Sequence, residues 1–468
     1  MAGEYRGKRE EEKELVRRFE RSSEANEEGY FDLNEYEDII EYYLQRGLFE
    51  QALKAAQHGI DRHPYSYDLV MFKAQALINL DKLDEALEIM LTVKNLMPGD
   101  TDMSLMIGTT LSLMGKFDEA VKTLEQILPL VEDPSEIHYQ IGMAYQHSGK
   151  YLPAIESYKA ALENNLDNEN ALYELAYCLD MVGELENSID YYKQFIDKDP
   201  FSVNAWYNLG IIYNKIGLFE EAIKAYEYAL LIDEKFASGH FNMGNSFMNL
   251  QKYEEAVDAY KNAITCEGPN AENQCCLAAA YEKMGKIELA IKYYQKSTKY
   301  DAFYDEAWYG LGSCLLTQDK YYESIHFLNK ALKLDPENAA YWTAIAEAEL
   351  KIGNVISSIE AYEEAVALDP YDADIWLNLS LIYSEQGDFD KAINTIQEAI
   401  EELPEESDLY YRMVVYLLQD GKFKEAFNFL EQALTLNYEN HIVLYDFFPK
   451  LQSQKALYKI IEQYRNPS

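Results

Sequence analysis

The chain has 468 residues, with 82 Asp and Glu against 41 Lys and Arg, a formal net charge of −41. That balance disfavours duplex DNA and anionic membranes as partners, because affinity for both rests largely on Lys and Arg neutralising negative charge. Five cysteines, an odd count without CxxC spacing, suit a reducing compartment better than a disulfide framework, and no apolar run approaches the roughly 20 residues that span a bilayer.

Residues 1–32 are mostly charged and alternate in sign, as in REEEKELVRRFERSSEANEE. Glu and Lys or Arg at helical spacing support a frayed surface helix. Leu15, Val16 and Phe19 give it little to bury, so a weakly ordered arm is expected up to about Gly29. The opening MAGEYRGKREEEKEL lacks the apolar core of a signal peptide, which predicts a cytoplasmic location.

From Leu33 one pattern recurs twelve times at a spacing of 34 residues. Its first half ends at Gly47, Asp81, Gly115, Gly149 and their counterparts as far as Gly421, with Gln251 and Asp319 among them. Ala or Ser follows five residues later, from Ala52 to Ala426. Counting each unit from Leu33, its eighth position is small at Ala74, Gly108, Gly142, Ala176, Gly210, Gly244, Ala278, Gly312 and Ala346, which lets two helices approach closely. Position 24 supplies Tyr158, Tyr192, Tyr226, Tyr260, Tyr294 and Tyr362 as packing residues. Pro64, Pro98, Pro200, Pro336, Pro370 and Pro404 stand at unit ends, where a fixed φ and a missing N–H stop the second helix.

With motifs such as GKFDEA, GKYLPA, GLFEEA and GDFDKA, the pattern resembles the tetratricopeptide repeat family, whose unit is a helix, a turn and a second helix. The resemblance covers residues 33–440. It implies an all-α fold, a right-handed α-solenoid superhelix of about twelve units. A length prior would divide such a chain into about three domains. Units that bury their apolar faces only against neighbours predict one elongated domain instead. The segments YFDLNEYEDIIEYYL and NHIVLYDFFPKL also look like those of long cytoplasmic bacterial members.

Residues 441–468 continue the register into a degenerate thirteenth unit, with Leu444, Phe447, Phe448 and Leu451 on its first helix. Phe448 takes the place of the small residue and Pro449 follows it, which predicts a shortened helix. Leu457, Ile460, Ile461 and Tyr464 then form the apolar stripe of a final, capping helix.

Chemistry-bearing patterns are sparse. No Cys or carboxylate set completes metal-ligand spacing around His58 and His63. Cys178 and Cys314 share a helix-contact position and are expected to be buried and inert. Cys275 and Cys276 are adjacent, so a helix points them apart. There is no GxxxxGK[ST], GxSxG or HExxH motif, and carboxylate pairs such as Glu254 with Glu255 occupy neighbouring helix positions. The expectation is a non-enzyme with no metal and no cofactor.

The family resemblance implies that positions 2, 5, 9, 12 and 13 of each first helix, with 6 beside them, face a concave groove. Here those positions place Asn204, Asn208 and Asn214 in unit six and Asn242, Asn245 and Asn249 in unit seven. Asn208 and Asn242 resemble the asparagine ladder by which some relatives hold an extended peptide, since a carboxamide matches both groups of a peptide unit. Tyr173, Tyr207, Phe241 and Tyr309 form an aromatic row at position 5, and Lys215, Lys283 and Lys351 place charge at the groove lip. The expected function is a non-enzymatic protein–protein interaction scaffold that binds an extended segment of a protein or peptide partner, with no nucleic acid and no membrane insertion. The other reading is a structural or self-associating subunit that uses its acidic convex face or its end caps.

Overall fold

The computed structural model of the protein describes residues 13–22, 29–97, 99–448 and 455–465. Pro98, Pro449 and Leu451 lie outside them, as do residues 1–12 and 23–28 of the arm. All regular structure among the described residues is helical, and the first helices of the twelve repeats begin at Leu33, Tyr67, Thr101, Ser135, Glu169, Val203, Ala237, Ala271, Asp305, Ala339, Ala373 and Ser407. The sequence frame and the helix frame coincide without a slip. Capping side chains set several of these starts: Asp32 forms a capping box with Glu35, and Ser66, Asp100, Asn168, Ser202 and Asn270 each accept from a backbone N–H in the first turn.

Each first helix ends at a left-handed residue. Nine of the twelve are glycines, and the others are Asp81, Gln251 and Asp319, with φ of 58°, 59° and 60°. A Cβ in that conformation costs about 1–2 kcal/mol. Asp319 recovers part of this through its carboxylate, which accepts a hydrogen bond of 2.6 Å from the Tyr321 hydroxyl. Gln251→Gly is therefore expected to raise stability by about 1 kcal/mol, read as a higher urea midpoint. An unchanged or lower midpoint would contradict the strain assigned to Gln251.

The chain falls into two compact units, Met1–Ile232 and Asp233–Ser468, which hold repeats one to six and seven to twelve respectively. In repeats three, four, six, seven and nine the glycine at position 8 lies under the large residue at position 24 of the same repeat. A Cβ on Gly210 would overlap the Tyr226 ring, and one on Gly244 would overlap Tyr260. The position-24 tyrosines are buried, with Tyr158, Tyr192, Tyr226 and Tyr260 among the largest fully enclosed side chains. Burial of that size stabilises by a few kcal/mol per ring, on the order of 25 cal/mol per Å².

The two ends differ from ordinary repeats. Where weak order was expected, residues 13–22 are helical, and Val16 and Phe19 are buried with Phe31, Tyr36 and Ile39 of the first repeat. The Phe19 ring meets Phe31 edge-on at 5.6 Å, and the Arg18 guanidinium lies 4.7 Å from the Phe31 centroid. At the other end a 3-10 turn over Glu439–Val443 leads into a helix of four residues, Leu444–Phe447. A last helix, Lys455–Tyr464, buries Leu457 and Ile461 in the cluster that contains Leu430 and Leu434 of repeat twelve.

Candidate functional site

In the N-terminal unit the first helices of repeats five and six, Glu169–Met181 and Val203–Lys215, border a recess of about 180 Å³. Its walls include Tyr173, Tyr177, Asp180, Asn208, Ile211 and Lys215. Tyr173 and Tyr177 are 55% and 43% exposed, unusual for tyrosines in this chain, where most rings are packed away. Asn208 hydrogen-bonds the hydroxyl of buried Tyr192. The Lys215 ammonium, which the sequence placed at the groove lip, is paired there with Asp180 in a solvent-exposed ion pair. Asn204 is exposed and donates a long hydrogen bond, 3.4 Å, to Glu169. Asn214 is half-buried, and the half-buried Tyr207 ring lies 5.9 Å from Tyr226. Tyr177 and Asp180 were not singled out by sequence, although both sit one helical turn or two after Tyr173.

The C-terminal unit treats its share of the candidates differently. Asn245 accepts a hydrogen bond of 2.7 Å from the Tyr260 hydroxyl and donates to Asn242 at 3.4 Å. Phe241 lies 5.6 Å from the same Tyr260 ring, and Tyr309 stacks on Tyr341 at 4.7 Å. Asn249 is exposed. These residues are on the first helices, as expected, but apart from Asn249 they already spend much of their surface on internal partners.

Thiol and imidazole chemistry is muted. The Cys178 thiol donates to the Gln146 side-chain Oε1 at 3.3 Å, and burial followed by the nearby Glu174 carboxylate pushes its pKa up to about 12. Burial also pushes Cys276 up to about 12, and raises Cys275 and Cys314 further. Cys266 is the exposed exception. His58 packs edge-on against Phe19 and His63 against Tyr36. Among the described residues no group of three or more His, Cys, Asp or Glu is placed to hold a metal, and no helix is long and apolar enough to cross a membrane.

Position 4 of the repeat also carries a signal that the groove pattern passed over. It is Trp206, Trp308, Trp342 and Trp376 in repeats six, nine, ten and eleven, and Tyr410 in repeat twelve. Each of these rings donates to the backbone carbonyl six residues earlier, at 2.9–3.0 Å. Gln274 stands there in repeat eight.

Family models described as tetratricopeptide repeat match residues 38–97, 139–203, 203–236, 271–304, 305–338, 353–414 and 407–440, and one described as TPR repeat matches 244–285. No curated protein matches the sequence. Solved structures with a similar fold include a chain of the APC/C hetero-tetramer Cut9-Hcn1, at 15% identity over 80% of this chain and 94% of that one, TM-score 0.42. Another is YrrB, a TPR protein with an unusual peptide-binding site, at 20% identity over 40% of this chain and 96% of that one, TM-score 0.34. A third is pilF of Pseudomonas aeruginosa, at 19% identity over 43% and 92%, TM-score 0.39. These likenesses concern the fold alone.

Proposed function

Since this chain belongs to the tetratricopeptide repeat family, we propose that it is a non-catalytic scaffold that binds protein partners, and that an extended peptide segment docks on the first helices of repeats five and six. The observation that carries this reading is the pair of exposed tyrosines, Tyr173 and Tyr177, standing over the recess that Asn208 and Ile211 line. Rigid aromatic side chains give large contact area at low entropy cost, which is why they dominate binding hot spots. A preformed recess lowers the ordering cost for an extended segment further. The net charge of −41 argues against nucleic acid as the partner.

The test must avoid residues that also hold the fold. Asn208→Ala would leave the enclosed Tyr192 hydroxyl without its partner, which costs about 1–3 kcal/mol by itself. Tyr173→Ala/Tyr177→Ala removes two largely exposed rings instead, of which Tyr177 also meets the Tyr151 ring edge-on at 6.5 Å. Peptides selected by display against the wild-type protein are expected to bind this variant at least about tenfold more weakly, with helicity unchanged by circular dichroism. Equal affinity for the folded variant would remove the assignment to repeats five and six.

A further inference from the structure

In repeat nine Trp308 fills the space beside its own second helix. Its indole is stacked on Phe327 at 5.8 Å with 11° between the planes, and the Lys330 ammonium lies 4.2 Å from the Trp308 ring. The indole N–H is satisfied by the Ala302 carbonyl at 2.9 Å. Repeat eight keeps a second-helix ring and its lysine but has no aromatic residue at position 4, and its Tyr293 stacks on Tyr281 at 5.4 Å with 16° between the planes. Tyr293 and Lys296 stand at the positions of Phe327 and Lys330, with Lys296 4.4 Å from the Tyr293 ring, but position 4 is Gln274.

The consequence is an open cavity of about 630 Å³ between the second helices of repeats seven and eight, Tyr253–Glu267 and Ile287–Tyr300. Its wall is mixed: Ile264, Leu277 and Tyr293 supply apolar surface, and Lys261, Lys296 and Lys299 supply charge. None of its lining residues is acidic, on a protein with twice as many carboxylates as cations. Lys261 has Asp258 at 3.7 Å. From Lys283 to Lys299 there are five lysines and one glutamate, Glu288.

Gln274 itself is only 3% exposed, lines this cavity, and its Oε1 is buried with no hydrogen-bond partner. The loop carbonyl that position 4 satisfies in neighbouring repeats, here that of Gly268, is taken by the Asn273 carboxamide at 3.0 Å. Gln274 is thus relieved of the indole's structural task, and an enclosed acceptor left unpaired is costly until something donates to it.

We propose that this cavity is a binding site for an acidic peptide segment of a partner protein, which inserts an aromatic side chain where repeat six and repeats nine to twelve carry their own. The inserted ring lies beside the stacked Tyr281–Tyr293 pair and near Lys296, at the place that Trp308 takes beside Phe327 and Lys330 in repeat nine. An N–H of the ligand, indole or backbone, donates to Gln274 Oε1. Carboxylates flanking the ring meet Lys261, Lys296 and Lys299. The size is in the range of ordinary ligand sites, about 300–1,000 Å³, and the cation–aromatic geometry already present in repeat nine favours the same arrangement here. The site is separate from the recess of repeats five and six and does not depend on that assignment.

Calorimetric titration of the full chain with acetyl-Glu-Glu-Trp-Glu-Glu-amide tests this. Binding is expected, weakening as salt is added. Replacing every Glu by Gln, or the Trp by Ala, is expected to lower affinity by about tenfold or more. Gln274→Trp restores the ring from within, so it should abolish binding while keeping or raising thermal stability. Lys296→Ala/Lys299→Ala removes one half-buried and one exposed lysine and should lower affinity by about tenfold with helicity unchanged by circular dichroism. Tyr173→Ala/Tyr177→Ala should leave this binding intact. No binding by the wild-type chain, undiminished binding by Gln274→Trp, or equal binding of the charged and neutral peptides would each overturn the proposal.

Discussion

Gly210→Ile is expected to destabilise the protein by about 3 kcal/mol or more, and Tyr226→Ala added to it is expected to recover most of that loss. The first half follows from contact: a side chain on Gly210 runs directly into the Tyr226 ring, which is fully buried and has no room to swing aside. Overpacking in such a core typically costs about 1–3 kcal/mol, and a branched side chain at a glycine lies at or beyond the upper end. Tyr226→Ala alone leaves a cavity and should cost about 3–5 kcal/mol. The rescue follows from repeat one, which reverses the arrangement, with Ile40 at position 8 and Ala56 at position 24, both buried. The double variant copies that pair into repeat six. It also removes the Tyr226 hydroxyl, which is enclosed without a hydrogen-bond partner. Urea unfolding of the two single variants and the double decides the matter. A double variant no more stable than the worse single one would show that the two positions do not trade volume.

A second large effect is expected at high pH, where the helical signal should collapse between about pH 10 and 12. Burial raises the pKa of Tyr158, Tyr192, Tyr226, Tyr260 and Tyr294, and pushes Tyr362 up to about 12. The unfolded chain releases these protons near pH 10. Stability from the neutral phenols is therefore fully present below pH 10 and is lost as pH rises toward the folded values. Each group removes about 1.4 kcal/mol per pH unit across that window. Six of them at pH 11 amount to about 8 kcal/mol, comparable to the whole stability of many domains. Phenolate absorbance and circular dichroism should move together for these rings. Full ionisation near pH 10 with helicity intact would contradict the burial argument.

The repeat frame was legible to the residue because it is written in local chemistry. A left-handed end, a small contact residue and a capping side chain each demand a narrow set of residue types at a given place. The binding candidates were harder to read, since an internal partner and a ligand ask for the same side chain. Asn245 has the chemistry to hold a peptide and uses it on Tyr260, and the aromatic rings of Tyr207 and Phe241 lie beside Tyr226 and Tyr260. Periodicity cannot distinguish these uses. The ordered helix in the N-terminal arm escaped for another reason: Val16 and Phe19 are too few to make a core alone, and their burial depends on Phe31, Tyr36 and Ile39 farther along the chain. The cavity of repeat eight leaves only a faint trace in the sequence, because Val70, Ser104 and Leu172 lack an aromatic ring at position 4 just as Gln274 does, and Gln274 differs from them by the lysine run beside it.

The distribution of thiols has a practical side. Four of the five cysteines are shielded with raised pKa values, and Cys266, on the last turn of the second helix of repeat seven, is open to solvent. Its neighbour Thr265 lines the lysine-bordered cavity. Alkylating dyes, which react through the thiolate, thus have a single preferred attachment point on the native chain. A fluorophore placed there becomes a built-in optical reporter beside the cavity, obtained without engineering any cysteine in or out.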